Sequence, residues 1–238
     1  MGRHLQELEN RQLEQILPNL FGYHLVQVGY TWQDLTISSR VSHRLMISAY
    51  CHSPPGHAVQ LCAQSHQLPI ASDSVDVVVL PHVLEFSHYP HEVLREVDRI
   101  LVPEGHVVML CFNPFSLWNG WRVAIRWRNK MPWCGEFLSS TRLRDWLALL
   151  GFDTAQQQGY AFMPPWNSAH LAGRLQWLEQ LGQRFFSFAA GSYVLVAKKR
   201  VTTLTPIRPG WRRRRQARWV TTGLVERYTS AKNQRKVS

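Results

Sequence analysis

The sequence predicts a doubly wound α/β fold built on a mostly parallel sheet, and two observations predict it. Short apolar segments alternate with helical patterns along most of the chain, which is the order that builds a parallel sheet. Residues 75–80 are hydrophobic throughout, without alternation, as expected of a strand buried on both faces. At 238 residues the chain can bury one substantial core.

Leu5, Leu8, Leu13, Ile16, Leu17 and Leu20 recur at roughly helical spacing, so residues 3–17 read as an amphipathic helix stopped by Pro18. Residues 25–28 form a short apolar strand ending at Gly29, and residues 44–49 form a weaker second one. Pro54, Pro55 and Gly56 break the chain before a third strand near 59–63. After the buried strand at 75–80, residues 90–101 form a helix with Val93, Leu94, Val97, Ile100 and Leu101 as its inner stripe. Pro90 suits its first turn. Residues 107–112 are the next buried strand. Ser139 or Ser140 can cap a helix that runs to Leu150, and Gly151 can end it. A strand near 154–160 and another at 192–198 flank a helix around 171–181.

Composition divides the chain. Residues 1–197 carry 14 Lys/Arg and 15 Asp/Glu, whereas residues 198–238 carry 13 Lys/Arg and a single acid, Glu226. The net charge of +11 therefore belongs to the tail. No apolar run is long enough to span a bilayer, and the start of the chain lacks the charged stub and apolar block of a secretory signal. Cys51, Cys62, Cys111 and Cys134 are scattered without metal-ligand spacing. They read as free thiols in a reducing compartment.

Residues 64–105 are the most informative segment. Leu68-Pro69-Ile70 forms a turn, Val75-Asp76-Val77-Val78 opens a strand, Val83-Leu84-Glu85-Phe86 follows it, and the next helix closes on Arg99-Ile100-Leu101-Val102-Pro103-Glu104-Gly105. These four blocks, in this order, resemble the class I S-adenosylmethionine-dependent methyltransferases of the type-11 family, in a bacterial branch with a degenerate glycine-rich loop. The resemblance covers about residues 15–200 and is sharp from 64 to 112. It implies a Rossmann-like domain over residues 1–200, an antiparallel edge pair made by 152–160 and 192–198, and S-adenosylmethionine as cofactor. Residues 201–238 are then a basic tail outside the domain.

A doubly wound sheet binds its ligand at the carboxyl ends of its strands, at the topological switch point. The family's first strand ends in a loop with three glycines. This chain reads Leu25-Val26-Gln27-Val28-Gly29-Tyr30-Thr31-Trp32-Gln33, so only the first glycine remains and Gln27 replaces the loop-supporting acid. No acid closes the second strand to hold the ribose. The resemblance places the cofactor over Gly29 and Tyr30, beside Gln64 and Ser65, with His82 at the end of the fourth strand. Gln64 can accept from an exocyclic amine. Asn113 and Trp118 follow the fifth strand, where the family closes its substrate pocket. His82 sits in the cleft and can be weighed as a general base. No catalytic residue can be named from sequence, because transfer from a sulfonium rests mainly on positioning.

Other constellations have plainer readings beside the functional ones. His88 and His91 straddle a helix start and read as a surface loop rather than a metal site, and no metal is expected. In residues 112–133, Leu117, Trp118, Trp121 and Ile125 would share one helical face, with Arg122, Arg126, Arg128 and Lys130 opposite. That pattern fits a membrane interface or a helix packed on the sheet. The tail, with Arg212–Arg215 between Trp211 and Trp219, can meet RNA, meet anionic lipid, or stay a disordered solubilising segment. Two functions follow. One is a methyltransferase acting on a small or lipid-like acceptor. The other is an inactive methyltransferase-fold scaffold that binds RNA or a membrane surface through residues 198–238. The expected location is the cytoplasm, with the inner face of the membrane as a peripheral site.

Overall fold

The computed structural model describes residues 2–29, 34–49, 59–116, 135–161 and 190–201. Helix α1 (Gly2–Ile16) leads into a 3-10 turn (Leu17–Asn19) and strand β1 (His24–Val28). Then come β2 (His43–Ser48), β3 (Val59–Cys62), β4 (Val75–Pro81), α2 (Pro90–Ile100), β5 (Leu101–Phe112), α3 (Ser140–Leu149), β6 (Phe152–Tyr160) and β7 (Ser192–Lys199). The sheet order is β3-β2-β1-β4-β5-β7-β6. Strands β3, β2, β1, β4 and β5 run parallel. Strand β7 is antiparallel to both β5 and β6, which is the edge arrangement the resemblance implies.

Each strand's burial follows its sequence. The centre of β4 is buried on both faces, matching its unbroken Val/Leu run. The outer strands β3 and β6 are largely exposed; the polar composition of β6 discourages edge-to-edge pairing, whereas β3 exposes Val59 and Leu61. One apolar layer packs α2 and α3 against the sheet, and a second packs α1 against its other face. Val93, Leu94, Val97 and Ile100 of α2 are fully buried, each stabilising the fold by about 1.5–3 kcal/mol. Ser139 caps α3, its hydroxyl accepting from the Arg142 N–H. Gly151, at φ +84°, ends it.

The four sequence blocks are wired together. Asp76 accepts from the N–H groups of Tyr23 (2.8 Å) and His24 (2.9 Å), fixing the entry of β1. Glu96 of α2 accepts from Leu68 N–H at 2.8 Å, and Arg99 donates to Leu68 O at 3.0 Å. Arg99 also pairs with Glu96 itself. The Leu68-Pro69 turn is thereby bolted to α2.

Three expectations change. Pro18 does not simply stop α1 but sits inside the following 3-10 turn. Strand β5 starts at Leu101 rather than 107 and runs through Pro103, with a register shift opposite Val75/Val77 that accommodates it. Cys111 is a free buried thiol, but Cys62 is disulfide-bonded, with a partner outside the described residues. The helix expected at 171–181, the Trp-rich segment from 117 and the tail from 202 also lie outside them.

Candidate active site

The order of strand addition reverses between β1 and β4, because β1 leads outward to β2 and β3 while β4 leads to β5 on its other side. At the carboxyl ends of these strands lies a cleft of about 240 Å³ lined by Val28, Gly29, Ile47, Ala63, Ser65, His82, Val83 and Phe86, among others. A larger cavity of about 500 Å³ borders the opposite strand ends at His24, Ser42, His43 and Arg44. Position decides between them, since open α/β sheets bind ligands at the carboxyl ends.

Gly29 closes β1 with φ +120°, a conformation that disfavours a side chain. Its N–H donates to Ile47 O at 2.8 Å. A Cβ there would lie 2.5 Å from the Val83 Cγ2 methyl. Gln27, in place of the family's acid, is buried, and its Oε1 accepts from Leu35 N–H at 3.0 Å. It therefore still ties the chain after β1 to the strand. Ser65 lines the cleft, whereas Gln64 is exposed and is not among the lining residues. Tyr30 and Trp118 lie outside the described residues. Asn113 shapes the turn leaving β5. Its N–H donates to Gly191 O at 3.0 Å and its Oδ1 accepts from Phe115 N–H at 3.1 Å.

His82 is the most constrained residue of the cleft. Its backbone has φ +52°, a region costly for residues other than glycine. Its N–H donates to Leu110 O. Its ring stacks on Phe112 with centroids 4.0 Å apart. Nε2 lies 2.9 Å from Glu9 Oε1 and Nδ1 lies 3.2 Å from Glu85 Oε1. Burial alone would lower its pKa, but the charges of Glu85 and Glu9 and their hydrogen bonds outweigh it and push it up to about 10. At neutral pH the ring is an imidazolium that donates through both nitrogens. The general-base reading of His82 is therefore corrected: the ring has no free lone pair to accept a proton.

Glu9 and Glu85 are the residues that sequence reasoning missed. Both are buried, at 5% and 3% exposure, where a carboxylate needs a partner. Glu85 also accepts from the Phe112 N–H. The sequence did hold a signal for Glu9: it stands four residues from both Leu5 and Leu13, on the apolar face of α1. Among the described residues no three His, Cys, Asp or Glu side chains converge as a metal site. His91 instead packs against Trp146 of α3 with ring centroids 3.9 Å apart and the planes tilted by 52°.

Known proteins share this fold. Residues 37–109 match the family model described as a methyltransferase domain, of type 11. An Escherichia coli (strain K12) protein named "Uncharacterized protein YafS" is 32% identical over 167 residues, covering 70% of this chain and 67% of that protein. A chain of the "Complex between the Haloferax volcanii Trm112 methyltransferase activator and the putative methyltransferase" superposes with a TM-score of 0.60 at 16% identity, over 84% of this chain and 92% of that one. Geranyl diphosphate C-methyltransferase from Streptomyces coelicolor, in complex with Mg2+, geranyl diphosphate and S-adenosyl-L-homocysteine, gives 0.57 at 15%, over 83% and 80%. With its cleft at the switch point between β1 and β4, this chain belongs to the type-11 family of class I S-adenosylmethionine-dependent methyltransferases.

Proposed function

We propose that the protein transfers a methyl group from S-adenosylmethionine to a small or lipid-like acceptor. The observation that carries this reading is the cleft at the carboxyl ends of β1 and β4, where Gly29 contributes bare backbone to the lining beside Ser65 and His82. Such a cradle suits a ligand lying close to backbone. Gly29 and Ser65 would hold the cofactor from below, Gln64 would meet its adenine from the rim, and Tyr30 would border it. When bound, the cofactor supplies a methyl group already activated on a sulfonium, so the protein's part is orientation and exclusion of water.

The chain's own residues fit that part. The Glu9–His82–Glu85 bridge joins α1 to the end of β4, closing the cleft on that side in this state. Asn113 holds the turn after β5, and Trp118 would close the acceptor pocket beyond it. The Streptomyces enzyme's geranyl diphosphate supports a lipid-like acceptor by analogy alone. Residues 201–238 are proposed as a basic appendage to the domain of residues 1–200, one that favours an anionic surface. The charge division at residue 197 supports this. A cytoplasmic location is part of the same proposal. No helix among the described residues is long and apolar enough to cross a membrane. Calorimetric titration with S-adenosylhomocysteine tests the reading, and a folded protein that binds neither this product nor the cofactor would refute it.

A further inference from the structure

A row of side chains crosses the α1 face of the sheet at its carboxyl rim. Phe112, Ser192 and Tyr160 are register partners on β5, β7 and β6, and His82 stacks on Phe112. Helix α1 packs on this face and reaches the row through Glu9. Tyr160 and Ser192 are 1% and 0% exposed, and among the described residues their hydroxyls have no partner but each other, the Ser192 O–H facing the Tyr160 phenol without a well-formed hydrogen bond. Buried hydroxyls in that state are uncommon and cost about 1–3 kcal/mol each. Burial, reinforced by the nearby Glu9 charge, keeps the Tyr160 phenol protonated. A poorly satisfied hydroxyl pair and an imidazolium N–H thus share one stretch of the rim, and the Tyr160 O–H and the ring N–H can both donate to an anion.

Resting on the methyltransferase reading, we infer that the acceptor is an oxyanion, a carboxylate or an acidic phenol, and that the Glu9 carboxylate occupies the seat its oxygen takes on His82. Exchange of one carboxylate for another anion leaves the local charge unchanged, so the swap avoids stranding a buried charge. It requires α1 to withdraw at Glu9, whose only polar partner among the described residues is His82. The chemistry then balances without a base. The oxygen's lone pair forms the new O–C bond, the C–S bond breaks, its electron pair stays on sulfur, and the sulfonium becomes a neutral thioether. No proton has to leave, in keeping with a His82 ring that has none to accept. A neutral alcohol would need a base, yet both carboxylates here are engaged by His82. A cationic amine would face the imidazolium.

The test measures binding of benzoate, p-nitrophenolate, benzyl alcohol and benzylamine to the full chain saturated with S-adenosylhomocysteine, in the wild type and in Glu9→Ala and Glu9→Gln. Removing the internal competitor should tighten binding of benzoate or p-nitrophenolate by about tenfold or more, since the competent state no longer has to be opened. Which of the two gains more separates a carboxylate from a phenol. In the wild type the same anion should speed hydrogen exchange of the α1 amides around residues 5–13, an effect that a purely structural Glu9–His82 pair would not give. A folded Glu9 variant that gains for neither anion, or gains for benzylamine instead, overturns the inference. Failure of S-adenosylhomocysteine to bind would sink the methyltransferase reading itself, whereas cofactor binding without anion binding sinks only the oxyanion.

Discussion

Alkaline pH should unfold this protein through His82, and the effect can be worked from the structure. In the unfolded chain His82 has its ordinary pKa of 6.5, while between Glu85 and Glu9 in the folded state it rises to about 10. The bound proton therefore stabilises the fold. That stability is complete below pH 6.5 and is lost as pH rises through about 10. The shift sets an upper bound of roughly 5 kcal/mol at 1.36 kcal/mol per pKa unit. Breaking a buried ion pair by removing one partner costs about 3–5 kcal/mol. The His82 side chain is only 14% exposed, so solvent screening takes little from either figure. Among the described residues the charged groups on it are Glu9 on α1 and Glu85 after β4, and the Tyr160 phenol on β6, which feels both carboxylates, stays protonated across this window because burial pushes it far up. Urea unfolding from pH 6 to pH 10 reads the loss directly. Comparison with His82→Asn, a residue that tolerates positive φ, removes the background from other ionisations. The wild type should lose about 3 kcal/mol more than the variant across this range. Parallel curves would refute the buried imidazolium.

Two further substitutions probe the supports of the site. Asp76→Ala orphans the N–H groups of Tyr23 and His24 at the entry of β1 and should cost about 1–3 kcal/mol in urea unfolding. An unchanged midpoint would show that water replaces the carboxylate. Arg99→Met releases the turn at Leu68, with a stability loss of only about 1 kcal/mol because the side chain is partly exposed. It should weaken cofactor binding more visibly, since that turn follows Ser65. Cofactor affinity equal to wild type would show that the turn holds itself.

The elements of this fold were legible where local pattern and tertiary role coincide. The buried run of β4 and the inner stripe of α2 are apolar because both sit in the core, so their sequence declares them. Ser139 and Gly151 mark the ends of α3 by cap chemistry alone. Strand β5 was read six residues short because Pro103 ordinarily punctuates a strand, and only the register shift against β4 makes room for it. The site was less legible. Gly29 and Ser65 follow from strand ends and family blocks. The Glu9–His82 pair spans 73 residues of sequence, and no local periodicity encodes which helix face meets which strand end. His82 lines the cleft, but its protonation is set by two carboxylates that come together only on folding. Gln27 looked like the loss of a loop support. In the structure its amide oxygen still makes a tie to the chain beyond β1.

The central claim is that the cleft over Gly29 binds S-adenosylmethionine. Calorimetric titration of the full chain with S-adenosylhomocysteine, in the wild type and in Gly29→Val, tests it most directly. The wild type should bind with an affinity weaker than micromolar, because two loop glycines and the ribose-holding acid are absent and each lost charge-assisted hydrogen bond costs roughly 1.5–3 kcal/mol. The folded Gly29→Val variant should not bind, since its side chain would enter the 2.5 Å approach to Val83. Absence of binding to the wild type, or equal binding to a folded Gly29→Val variant, would contradict the placement of the cofactor.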